Sequence, residues 1–247
     1  MLRLLLLSLL IASASAESLR IVSYNVRYPA SGDGDNRWDL RRDHFVASVR
    51  ALDPDLMGTQ ELFALQGRYL VEQAPEYRWF GVSRRGNDQD EHMGVFYKPA
   101  RLKLIESGNF WLSETPDQAG SMSWNVTLPR MVTWGLFESR LTRRRFYFFN
   151  THFPHRREDD EARRRCAQVI AARLAKLDPR TPVILTGDFN SPATGPGYDT
   201  FTPLLTDAWV NTAHRFGPEA TFHGFTGRAG GARIDWIFSR GFRTLLA

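Results

Sequence analysis

The sequence predicts an α/β fold in which two β-sheets lie face to face with helices outside. One observation is the order of signals along the chain: strand, helix, strand, helix, several consecutive strands, helix, strand, then more strands. A second is the size of the core. Aromatic residues make up 13% of the chain, and Cys166 is the sole cysteine, so stability has to come from packing and not from disulfides. A third is that apolar runs of strand length repeatedly end in one acid, amide or imidazole.

A chain of 247 residues without a Pro/Gly/Ser-rich linker fits one large domain. Residues 1–16 stand apart from it. Arg3 gives a positive start, residues 4–12 an apolar stretch, and Ala14-Ser15-Ala16 a small-residue cleavage site, the pattern of an export signal. The apolar stretch is too short to span a bilayer. The domain is therefore expected over 17–247, in a secreted or periplasmic protein. Lys and Arg number 32 against 27 Asp and Glu, a formal +5. That balance helps attract a polyanion or an anionic membrane surface, but the arginines are scattered, with no dense basic stripe for a long duplex footprint.

Residues 19–27 alternate as a strand and carry Asn25 at its end, followed by a Gly/Asp/Asn-rich loop to Trp38. Phe45, Val46, Val49 and Leu52 have helical spacing from Asp39, a plausible N-cap, to the stop at Pro54. Residues 55–61 form a short strand that carries Glu61 outward, and 62–73 a second helix. Residues 77–82 and 93–97 pair as strands, 102–107 follow, and 108–129 are irregular and aromatic, with Trp111 and Trp124 as core or loop anchors. Strands at 131–138 and 145–150 lead to His152. The longest helix signal, 156–177, sets Val169, Ile170, Leu174 and Leu177 on one face and Arg163-Arg164-Arg165 on a solvated one. Strand 182–187 then precedes shorter strand signals at 208–209, 221–222 and 234–238.

The stretch 181–190, Thr-Pro-Val-Ile-Leu-Thr-Gly-Asp-Phe-Asn, organises the rest. Its β-branched apolar run suits a buried strand, and Asp188 and Asn190, two apart, project on one side if the backbone stays extended. A carboxylate there suits a hard divalent cation and an amide can hold a phosphate oxygen; equally, the pair can close an Asx turn. Asn25, Glu61, His152 and Asp235 share the same context at the ends of other strands. Such a set is the composition that phosphodiester hydrolysis needs: a carboxylate for a divalent ion, amide and arginine for phosphate oxygens, and a histidine with an acid.

The motifs Ser-Tyr-Asn-Val-Arg at 23–27, Gln60-Glu61, Asn150-Thr151-His152, Gly187-Asp188-Phe189-Asn190 and Ile234-Asp235-Trp236-Ile237-Phe238 occur in the order found in the endonuclease/exonuclease/phosphatase superfamily, which the chain resembles from about residue 19 to 238. The resemblance implies a four-layer sandwich of two mixed β-sheets flanked by helices, and Mg²⁺, with Mn²⁺ as the alternate ion. It implies that Glu61 is the principal metal ligand, that Asn25 sits beside it at the metal or phosphate, and that Asp188 shares the metal or aligns the attacking water. It also implies a phosphate- or leaving-group-side role for His152, orientation of that histidine by Glu91, an arginine near the scissile phosphate at Arg130, a phosphate-holding Asn190, and orientation of a catalytic histidine by Asp235. Members of the family carry that histidine in a final Ser-Asp-His strand. No His follows His223, and the expectation is a chain lacking that strand, with His223 a weak substitute.

The expected activity is hydrolysis of a phosphate ester, a phosphodiester ahead of a monoester, with nucleic acid or phospholipid as the substrate classes, and a monomer without a protein partner. A sphingomyelinase-like lipid phosphodiesterase and a catalytically impaired phosphate-binding protein are the alternatives.

Overall fold

A computed structural model describes residues 17–228 and 230–247; the expected export signal, 1–16, lies outside them. The first half builds one sheet from β1 (Ile21–Asn25), β2 (Leu56–Gln60), β3 (Arg78–Phe80) and β4 (Val95–Tyr97), in the order β1-β2-β4-β3. The second sheet holds β5 (Leu102–Trp111), β6 (Met131–Ser139), β7 (Arg145–His152), β8 (Val183–Asp188), β9 (Thr206–Asp207) and β10 (Asp235–Arg240), in the order β5-β6-β7-β8-β10-β9. Both sheets are mixed: β1 runs parallel to β2 and β7 to β8, and the remaining pairs are antiparallel.

Strand alternation sorts the side chains into layers. In the first sheet Met57 and Phe96 turn toward helices α1 (Trp38–Leu52) and α2 (Ala64–Gln73), where they meet Phe45, Val46, Val49 and Leu70. Their neighbours Leu56 and Val95 turn the other way and meet Phe146, Phe148 and Ile184 of the second sheet. In β8, Val183 and Leu185 face helix α3 (Asp160–Leu174), against Cys166, Ala167 and Ile170, and the short helix α4 (Tyr198–Phe201) adds Phe201 to that layer. The result is the expected four-layer sandwich.

Between the sheets, apolar packing gives way to polar packing toward the strand ends. Gln60 Nε2 donates to Asn150 Oδ1 at 2.7 Å, Thr186 Oγ1 donates to the same oxygen at 3.2 Å, and Asn150 Nδ2 donates to the Thr59 carbonyl at 2.7 Å. Such a buried tier fixes the register of one sheet on the other, although Gln60 Oε1 has no partner among the described residues. The approach is close: a Cβ at Gly58 would fall 2.3 Å from Thr186 Oγ1, so only glycine fits.

Several local expectations change, among them the strand signal at 208–209, where the strand lies at Thr206–Asp207 instead. Asp39 lies in the first turn of α1 and not at its N-cap, which is Arg37. Strand β5 continues to Trp111, because pairing with Met131–Ser139 extends it through a stretch whose Gly and Asn give a weak strand signal. Residues 221–222 form no strand, although the Thr221 amide donates to the Ala232 carbonyl at 3.3 Å. Arg163 does not share the solvated face: it is buried and donates through NH1 to the carbonyls of Pro154 at 2.8 Å and Arg156 at 2.9 Å.

Candidate active site

Parity along each strand decides what reaches the mouth between the sheets. Ile184, Thr186 and Asp188 share one side of β8, Phe148, Asn150 and His152 one side of β7, and Ile21, Ser23 and Asn25 one side of β1. In each strand the apolar member packs between the sheets and the last member emerges at the edge. Asp235 begins β10 directly opposite Asp188, as His152 ends β7 beside it. Glu61 follows β2 with φ +58°, a left-handed conformation uncommon outside glycine that turns its carboxylate back over the strand ends.

These side chains meet. Asn25 Nδ2 donates to Glu61 Oε1 at 3.0 Å and to Asp188 Oδ2 at 3.0 Å, so one amide nitrogen joins carboxylates from the two sheets. The Tyr28 amide also donates to Glu61 Oε2 at 3.1 Å, and Arg27 NH1 lies 3.7 Å from that oxygen. Asp188 Oδ1 accepts the Asn190 amide at 3.0 Å, which closes the Asx turn, with Asn190 at φ +49°. His152 Nε2 lies 3.8 Å from Asp188 Oδ2, and its Nδ1 is buried without a partner among the described residues.

Two expected roles are revised. Glu91 does not orient His152; its Oε2 accepts from Arg84 NH1 at 2.8 Å, because the 83–92 turn brings Arg84 to it first. Asn190 turns its amide nitrogen onto the Phe153 carbonyl at 3.1 Å, so it positions the turn after His152. Arg130 is buried beside the site, donating through NH2 to His155 Nδ1 at 3.0 Å while NH1 has no partner among the described residues. His223 is exposed and makes no hydrogen bond to Asp235, whose backbone amide donates instead to Thr221 Oγ1 at 3.1 Å.

Arg84 and His155 went unremarked in the sequence. Arg84 is fixed by Glu91, by Asp90 at 2.9 Å and by Trp111, whose indole donates to the Arg84 carbonyl at 2.6 Å. The spacing His152-Phe153-Pro154-His155 at a strand end was the available signal for His155.

Burial sets the electrostatics. It pushes the Asp188 carboxyl up to about 6 and, with the charge of Asp188 added, Asp235 up to about 8. It pushes Glu91 up to about 7 despite Arg84. His152 falls well below the ordinary histidine value because it is buried and has Arg130, Arg84 and His155 as neighbours, so it is a neutral imidazole. Asp235 Oδ1 is buried without a partner among the described residues.

A stability consequence follows from Asp235. Both folded and unfolded chains hold its proton below the ordinary carboxyl value of 3.8; as pH rises the unfolded chain releases it first, whereas the folded chain keeps it to about pH 8. This contribution to stability is therefore complete at low pH and disappears as pH rises through about 8, with a slope of at most about 1.4 kcal/mol per pH unit. In metal-free urea unfolding, Asp235→Asn gains stability relative to the parent between pH 5 and 8.5. A difference that does not change with pH contradicts the assignment.

The donor set fits a divalent cation. Glu61 and Asp188 offer carboxylate oxygens on either side of one amide, and the buried acid of Asp188 and Asp235 lacks a cation in direct contact among the described residues. Among the described residues no three His, Cys, Asp or Glu side chains cluster tightly enough to hold a metal by themselves. Two carboxylates with water and substrate oxygens completing the shell match the way Mg²⁺ is held.

Residues 22–247 match the model of the Endonuclease/Exonuclease/phosphatase family. A family protein of that description from Bacteroides thetaiotaomicron is 36% identical and has a TM-score of 0.82, over 88% of this chain and 82% of that one. A mannosyl-6-phosphatase from Bacteroides thetaiotaomicron VPI-5482 is 35% identical with a TM-score of 0.85, over 91% of this chain and 86% of that one. An uncharacterized protein of Acanthamoeba polyphaga mimivirus is 27% identical over 166 residues, 63% of this chain but only 60% of the length of that relative. The human Nocturnin catalytic domain, 18% identical with a TM-score of 0.68 over 90% of this chain and 81% of that one, shares the fold.

Proposed function

The chain belongs to the endonuclease/exonuclease/phosphatase family, whose members are phosphoesterase hydrolases that generally use divalent metal ions, and from that premise we propose a divalent-cation-dependent phosphoesterase. The observation that carries this reading is the Asn25 amide nitrogen, 3.0 Å from both Glu61 and Asp188 across the two sheets. Glu61 and Asp188 would hold Mg²⁺ or Mn²⁺, with Asn25 setting their spacing. The ion supplies charge stabilisation for the phosphoryl oxygens.

The chain's own groups do the remaining work. Arg130 NH1, which has no partner among the described residues, binds a phosphoryl oxygen, and neutral His152 faces the leaving-group side. Asp188 also aligns the attacking water. Asp235, opposite Asp188 across β8 and β10, orients a proton-carrying partner such as an imidazole. Export through residues 1–16 and action as a monomer complete the proposal.

For the substrate, likeness to the mannosyl-6-phosphatase supports a sugar phosphate monoester, ahead of the phosphodiester expected from the sequence. A second reading, a lipid phosphodiester, draws on Phe222 and Phe225, which are exposed on the loop whose Thr221 anchors Asp235. Parallel assays with mannose 6-phosphate, single-stranded DNA and sphingomyelin vesicles, each with Mg²⁺ and with EDTA, separate the readings. The expected result is chelator-sensitive phosphate release that is fastest from mannose 6-phosphate. Turnover of DNA or vesicles ahead of it overturns the substrate, and Mg²⁺ binding without turnover of any ester identifies a silent phosphate-binding module.

A further inference from the structure

We infer that His155 is a substrate-contacting residue, a neutral imidazole that offers its Nε2–H to an oxygen of the phosphate group. The inference rests on the phosphoesterase reading and adds to it a residue that the family motifs quoted above do not include.

The geometry begins with Arg130. A guanidinium has donors only, so the 3.0 Å contact between Arg130 NH2 and His155 Nδ1 requires Nδ1 to be the unprotonated nitrogen. The ring's proton is then on Nε2, which makes no hydrogen bond among the described residues. Burial and the Arg130 charge also lower the affinity of the ring for a second proton, against the opposing charges of Asp159 and Glu61, with Arg156 adding to the lowering. The same Arg130 leaves NH1 buried and unpaired. One arginine thus presents a free donor of its own and fixes the tautomer that makes its neighbour a second donor.

His155 is exposed, yet the turn that bears it is held from every side. Arg163 of α3, buried, binds the carbonyls of Pro154 and Arg156, the residues directly before and after it. The Phe153 amide donates to the Asp188 carbonyl at 2.9 Å, and Asn190 Nδ2 returns to the Phe153 carbonyl at 3.1 Å. Arg156 closes on Asp159 through its backbone amide at 3.0 Å and its Nε at 3.0 Å. A surface histidine held this way loses little freedom on contact with a ligand, the condition under which one hydrogen bond contributes most. The turn starts at His152 and is tied to Asp188 and Asn190 through Phe153, which keeps His155 beside the site.

The test compares the full chain with His155→Phe and His155→Gln, whose amide nitrogen reaches about where Nε2 stands. Binding of inorganic phosphate in the presence of Mg²⁺ is measured by calorimetry, beside KM and kcat for the best ester and the thermal midpoint. The expected result is phosphate binding weaker by about 10- to 100-fold in His155→Phe, largely recovered in His155→Gln, with KM moving more than kcat and both variants folded at the assay temperature. Equal binding in the parent and His155→Phe overturns the contact. Equal losses in both variants overturn the Nε2–H role in favour of a packing one. A parent that binds no phosphate and hydrolyses no ester refutes the phosphoesterase reading itself, and this inference with it.

Discussion

Asp188→Asn lowers kcat for the best phosphate ester by about 10²- to 10⁴-fold, the range for loss of a group acting in the chemical step, and saturating Mg²⁺ restores only the part due to weaker cation binding. The two side chains are nearly isosteric, and the reason is charge and protons. Asp188 uses both oxygens as acceptors, Oδ1 toward the Asn190 amide and Oδ2 toward Asn25 Nδ2. An asparagine can keep only one of these, and its NH₂ then opposes that of Asn25, which loosens the link between the sheets at the proposed cation site. The folded chain survives, because removing a buried carboxylate relieves a desolvation penalty even as one hydrogen bond is lost. Steady-state kinetics over a Mg²⁺ series, with circular dichroism as the folding control, checks this; a loss smaller than tenfold excludes Asp188 from the chemistry.

Glu61→Gln is the second large effect, and it differs in kind. The amide can still accept from Tyr28 or Asn25, so the turn at φ +58° is retained, but one of the two charges offered to the cation is gone. At a fixed low Mg²⁺ concentration kcat/KM falls by about 10³-fold, equivalent to about 4 kcal/mol of transition-state stabilisation. Unlike the Asp188 variant, which keeps a deficit in kcat at saturating Mg²⁺, this one recovers as Mg²⁺ is raised, because occupancy is what was lost. If the Mg²⁺ dependence of Glu61→Gln superimposes on that of the parent, Glu61 is not a metal ligand.

The difference between what the sequence disclosed and what it hid follows the range of the interactions. Alternation is a local signal, and it placed Asn25, His152, Asp188 and Asp235 at strand ends before any pairing was known. Which strands sit side by side, and hence that Asp235 opposes Asp188 while His152 flanks it, depends on sheet order. Arg163 shows the limit most clearly. In a run of three arginines it is indistinguishable by composition from Arg164 and Arg165, and only the seating of α3 on the 153–156 turn buries it. The Arg130–His155 contact spans 25 residues and joins two irregular segments, where no periodicity operates. Glu91 failed as a partner of His152 for the opposite reason: a local turn supplied Arg84 first.

On the proposed reading, carboxylates from two sheets, spaced by one asparagine, hold a single divalent cation. Calorimetric titration of Mn²⁺ into the metal-free chain, and into the same chain carrying both Glu61→Gln and Asp188→Asn, tests it most directly. The expected result is one saturable site in the parent and none in the double variant, both chains being folded. Equal Mn²⁺ binding in the two contradicts the account.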